Sequence, residues 1–127
     1  MKRIIFLSGL LGFYVAGGCQ PKPAQKIPAP TETLRQMRAA ITSYYADHNG
    51  QYPKQLTDLV PQYLPEIPLI SGSPDHKPSR EVFASTSVAP NDRGGWGYIV
   101  ASDNPIEGKI FINCTHTDKA GHLWSDY

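Results

Sequence analysis

The sequence predicts an α+β domain: an N-terminal amphipathic helix packed on a small antiparallel β-meander of three to four strands. Three observations predict it. Apolar residues recur at helical spacing between Leu34 and His48. Beyond Glu81 the period shortens to that of strands, in four short runs separated by turn residues. The length, 127 residues with 12 Pro and 11 Gly, suits a single domain with a modest core.

The helix is expected to open at Thr31-Glu-Thr-Leu, with Thr31 or Thr33 as cap and Pro30 still outside it. Leu34, Met37, Ile41, Tyr44, Tyr45 and His48 form one stripe. Asn49-Gly50 supplies the C-terminal stop, and Gln51-Tyr52-Pro53 turns the chain. A second, shorter helix is expected from Leu56 to Leu64, with Pro61 as a potential break. Pro65, Pro68, Pro74 and Pro78 make the next stretch an irregular loop.

The strand runs are Glu81–Ser85, Trp96–Ala101, Lys109–Cys114 and His122–Tyr127. Asn91-Asp-Arg-Gly-Gly, Asp103-Asn-Pro-Ile-Glu-Gly and Asp118-Lys-Ala-Gly separate them. Such short connections suggest hairpins, and a meander needs a cover on one face, which the helix provides.

Upstream, Met1-Lys2-Arg3 is a short positive region and Ile4 to Val15 is an apolar run of 12 residues. That length suits an export signal, whereas a membrane-spanning helix needs about 20 residues. Residues 1–18 are therefore expected to be a signal peptide. Gln20 to Pro30 reads QPKPAQKIPAP and should be extended. At ~3.1 Å per residue, the 11 residues from Gln20 to Pro30 could hold the domain roughly 30 Å from the bilayer. Residues 19–30 are therefore expected to be Cys19 and its linker, ahead of a globular domain over 31–127.

Ala16-Gly17-Gly18 before Cys19 resembles the lipobox of bacterial lipoproteins, although that family usually has Leu where Ala16 stands. The resemblance implies cleavage between Gly18 and Cys19 and lipidation of Cys19. Several acyl chains anchor a protein almost permanently where one does so only marginally. It implies a periplasm-facing position in the bacterial cell envelope, outer membrane favoured over inner, with the membrane as a partner through the lipid. The competing reading is an ordinary cleavable signal. Gly12-Phe13-Tyr14-Val15 looks like a type IV prepilin start. However, Gly17 stands where the mature pilin has an acidic residue, and fewer than ten apolar residues precede the prolines.

In the globular part, Leu34-x-x-Met-x-x-Ala-Ile41-x-x-Tyr44 and Asp47-x-x-Gly50-x-Tyr52-Pro53-x-x-Leu56-x-x-Leu59 resemble the helix and turn of type II secretion pseudopilins. Gly94-Gly-Trp-Gly-Tyr98, Gly108-Lys-Ile-Phe-Ile-Asn113 and Asp118-x-x-Gly121-x-x-Trp124 are similar to their sheet. The resemblance covers about three quarters of the chain. It implies a truncated pilin-like fold and a structural or assembly component that touches other envelope or secretion-system proteins, with no active site. The alternatives are a minor pseudopilin within a secretion filament and a periplasmic ligand- or metal-binding module. Architectural roles are expected for Tyr52, Pro53, Gly94, Gly95, Trp96 and Gly97, and contact roles for Tyr63, Trp96 or Trp124 if exposed.

Charge and motif content narrow the chemistry. From Thr31 onward eight Lys and Arg stand against eleven Asp and Glu, so no basic face remains for nucleic acid. No nucleophile elbow or phosphate loop is present, and neither an enzyme, a small-molecule substrate nor a cofactor is expected. Cys114, His116, Asp118 and His122 form the most suggestive cluster, since alternate strand residues share a face and His and Cys suit zinc. Cys114 would also share its face with Ile110 and Ile112, so the expectation is a buried thiol rather than a metal ligand. His48, on the helix stripe, is expected to pack or cap.

Overall fold

The computed structural model describes residues 28–101 and 103–127. Their order is α1 (Pro30–Asp47), β1 (Val82–Ser85), β2 (Trp96–Ile99) and β3 (Ile110–Ile112), with single 3-10 turns at Leu56–Leu59 and Trp124–Asp126. The result is a small α+β fold of one helix and one three-stranded sheet.

Helix α1 begins two residues earlier than a Thr31 cap would place it. Pro30 is its first residue, where a missing N–H costs nothing and the fixed φ is already helical. Ala29 occupies the cap position without a side-chain cap, and Thr33 instead bonds back to the Ala29 carbonyl through both its amide (3.0 Å) and its hydroxyl (3.2 Å). At the other end Asn49 adopts φ 54°, and the Gly50 amide reaches the Tyr45 carbonyl at 3.0 Å. That is the bond of a Schellman stop. The His48 ring stacks on Tyr44 at 3.7 Å and its Nδ1–H donates at 2.8 Å to the Tyr44 carbonyl, which also accepts the His48 amide at 3.0 Å.

The expected second helix is only the 3-10 turn Leu56–Leu59. Val60 precedes Pro61 and takes the extended conformation that a following proline imposes, so the helix cannot propagate. Leu56 and Leu59 nevertheless reach the core.

The sheet order is β1-β2-β3, and here the expected meander is corrected. Strands β2 and β3 are antiparallel, but β1 and β2 are parallel, with Val82 opposite Trp96 and Ser85 opposite Ile99. Residues 86–95 are therefore a return crossover rather than a hairpin turn. Strands of four residues span roughly 13 Å, short enough for this irregular segment to bridge without a helix. The His122–Tyr127 run is not a strand either: it makes one bridge, Leu123 to Thr117, and closes in the 3-10 turn.

One sheet face carries Trp96, Tyr98, Ile110 and Ile112, which pack with Leu34, Met37, Ala40 and Ile41 of α1 and with Ile67, Ile70 and Cys114. Trp96 is fully buried and its indole N–H donates to the Pro68 carbonyl at 2.9 Å, so it is not a contact residue. Tyr63 and Trp124 are half-buried, and Tyr45, from the predicted stripe, is exposed. The Tyr98 hydroxyl donates to the Pro53 carbonyl at 2.6 Å, tying the post-helix turn to the sheet centre. At Gly97 a Cβ would overlap the Phe111 ring on the opposite face, so the bare backbone is what admits that ring.

Candidate functional site

Three loops converge beyond the end of β3. The first runs from Ser71 to Pro78 and is closed at its base by paired backbone bonds between Ile70 and Ser79, both 3.0 Å. Within it the Ser71 hydroxyl bonds to the carbonyls of Ser73 and His76, and the Ser73 hydroxyl bonds to Asp75 Oδ2 at 2.9 Å. These contacts fix Asp75 and His76 at the loop tip.

The second loop carries Asp92. Asn113, buried at the end of β3, donates from Nδ2 to Asn91 Oδ1 (2.7 Å) and the Gly94 carbonyl (3.1 Å), and accepts from the Asn91 amide (2.8 Å). Backbone bonds from Gly94 to Asn113 and from Asn113 to Gly95 complete the clamp. Asp92 sits at φ 62°, a conformation that Asp tolerates better than most side chains. Gly94 and Gly95 are left-handed as well, at φ 77° and 75°, and a Cβ on Gly95 would overlap the Glu81 carbonyl.

The third segment is Cys114 to His116. Strand β3 ends at Ile112, so the expected alternation through 114, 116 and 118 does not apply. Instead the backbone folds so that the His116 amide bonds to Cys114 Sγ at 3.3 Å, and His116 Nδ1 lies 3.4 Å from the same sulfur.

These loops bring four side chains together: His76, Asp92, Cys114 and His116, with one potential ligand atom from each all within 4.8 Å of one another. His76 Nε2 is 3.0 Å and His116 Nδ1 3.3 Å from Asp92 Oδ1. The two imidazoles meet edge to face, with centroids 5.0 Å apart. The Thr115 amide also donates to Asp92 Oδ1 at 2.8 Å. That amide, followed by the Thr115 side chain and the two histidines, holds the Asp92 carboxyl down at about 2 despite partial burial. Burial pushes the Cys114 thiol up, reinforced by the Asp92 and Asp75 charges and only partly offset by the His116 amide. Without another positive charge the sulfur is a protonated, poorly nucleophilic thiol.

The cluster suggested by the sequence is thus divided. Cys114 and His116 enter this site, whereas Asp118 and His122 are not among the converging ligands. Asp118 accepts from the Tyr127 hydroxyl and from the amides of Ala120 (2.8 Å) and His122 (2.9 Å). Those bonds, Tyr127 first, lower its carboxyl to about 2 and use it to hold its own turn. The His122 ring points to that same carboxylate at 3.7 Å.

His76 and Asp92 carry no local sequence signal of ligation. Each reads as turn chemistry, and they lie 16 residues apart and more than 20 from Cys114. The one available hint is the pairing of a Pro-flanked Asp75-His76 with a chain that has only four histidines.

Tyr52 has a separate role: its ring packs against Tyr45 at 4.5 Å and covers Gly108, at φ 78°, where a Cβ would overlap it. Gly18, Cys19 and the rest of residues 1–27 lie outside the described residues. No helix among the described residues is long and apolar enough to cross a membrane. No family model, curated protein or solved structure matches the chain.

Proposed function

We propose that the chain is a non-catalytic envelope lipoprotein, a pseudopilin-like head held at a membrane by acyl groups on Cys19. The observation that carries this reading is the N-terminal arrangement: a charged start, a 12-residue apolar run, Ala16-Gly17-Gly18 and then Cys19, followed by a proline-rich spacer. The order of elements supports the pilin-like part of the reading, since a helix comes first and the sheet folds back over its apolar stripe. The Tyr52-Pro53 turn is tied to the sheet through Tyr98, and Gly97 and Gly108 accommodate aromatic rings, so the residues shared with pseudopilins work as architecture. A head of this kind serves by being contacted, as a structural or assembly component beside other envelope proteins.

Fractionation tests the tether. The native protein is expected in the membrane pellet and resistant to high salt, and Cys19→Ser is expected to shift it to the soluble periplasmic fraction with the fold intact. A Cys19→Ser protein that stays in the membrane as firmly as the native chain overturns the proposal.

A further inference from the structure

We propose that His76, Asp92, Cys114 and His116 bind one Zn²⁺ ion that staples the three loops beyond β3. The inference is independent of the tether. A tetrahedral zinc with bonds of about 2.0–2.3 Å requires its ligand atoms to lie roughly 3.3–3.8 Å apart. Three separations in the cluster are already 3.0, 3.3 and 3.4 Å, and none of the four chosen atoms is more than 4.8 Å from another. Small rotations of side chains bring such a set to bonding geometry.

The donor chemistry selects the ion. Two imidazoles, one thiol and one carboxylate make a mixed nitrogen, sulfur and oxygen set that suits zinc and not the oxygen-seeking Ca²⁺ or Mg²⁺. Four protein ligands also leave no position for a reacting water, which marks the site as structural. One thiolate and one carboxylate neutralise the doubly charged ion.

The surroundings fit as well. His116 faces the cluster with Nδ1, while its Nε2 lies 3.5 Å from Asp75 Oδ2. An Nε2–H directed at a carboxylate leaves the Nδ1 lone pair free for metal, the outer-sphere arrangement that orients most ligating histidines. Asp75 is itself held by the Ser73 hydroxyl at 2.9 Å, and the Thr115 amide holds Asp92 at 2.8 Å. On binding, the Cys114 S–H bond breaks, its proton passes to solvent and an S–Zn bond forms. Both histidines donate neutral lone pairs.

The full chain, purified in detergent and stripped with chelator, tests the proposal. Titration with Zn²⁺ is expected to show one ion per chain, to raise the melting temperature and to release protons. Co²⁺ in place of zinc should give a tetrahedral visible spectrum with a thiolate-to-cobalt charge-transfer band. His76→Ala and Cys114→Ser should each abolish stoichiometric binding, with loss of the charge-transfer band in the latter. Asp75→Ala should weaken binding about 10- to 100-fold. His122→Ala, on the exposed Asp118 turn, should bind as the native chain does. If a variant fails to fold, the cobalt spectrum of the native chain decides. A native chain that takes up no zinc, or whose cobalt complex lacks the thiolate band, overturns the proposal. So does undiminished zinc binding by folded His76→Ala.

Discussion

Tyr98 shows how one side chain links local chemistry to the whole fold. Its ring is in the core, and its hydroxyl donates to the Pro53 carbonyl at 2.6 Å. Burial first, then the nearby Glu107 carboxylate, raises the phenol above its ordinary value of 10. Below about pH 10 folded and unfolded phenols are both protonated, and the stabilisation is fully present. As the pH rises above that value the unfolded chain ionises first, so stability falls progressively towards the higher folded value. Tyr98→Phe is expected to lose about 1 kcal/mol at neutral pH from the broken bond and to flatten the alkaline decline, measured by urea melts between pH 7 and 11. Tyr63 and Tyr127, whose phenols are also raised, keep part of that slope. Gly97 offers a steric counterpart. Gly97→Ala drives a methyl into the Phe111 ring, and a loss of roughly 1–3 kcal/mol in the same melts is expected.

Among the elements, the loop clamp at Asn113 is the most exposed to a single change. Its amide is buried and satisfies the Asn91 amide, the Asn91 side chain and the Gly94 carbonyl. Asn113→Ala strands those partners and should destabilise the fold by about 2–3 kcal/mol, with faster amide hydrogen exchange across 91–95 than in α1. Helix α1 is legible in the sequence because its buried positions lie three or four residues apart and its stop, Asn49-Gly50, is a local backbone requirement. The parallel pairing of β1 with β2 is not legible, because nothing near Asn91-Asp-Arg-Gly-Gly distinguishes the end of a crossover from a hairpin turn. Only the Thr86–Pro90 stretch ahead of it lengthens the connection. The site divides in the same way. Cys114 and His116 are neighbours in sequence and stand out as a pair, while His76 and Asp92 arrive through long-range loop closure that depends on Asn113 and the Ile70–Ser79 bridge.

For the molecule as a whole, helix, sheet and loops share one apolar cluster, with Tyr127 held to the middle of α1 by the Arg38 guanidinium, which donates to its carbonyl. The proposed zinc staple borders that cluster through Cys114 and takes its other ligands from the loops, so metal removal is expected to loosen the loops before the helix–sheet core. Hydrogen exchange with and without chelator reads that order directly. The tether is a proposal about where the domain works, and its chemistry is separable from the stability of the head. Mass spectrometry of the mature protein extracted from its native membrane tests that central claim most directly. The account predicts a chain that begins at Cys19 and carries acyl groups on that residue. A mature chain with an unmodified Cys19, or one that begins at a methylated Phe13, contradicts it.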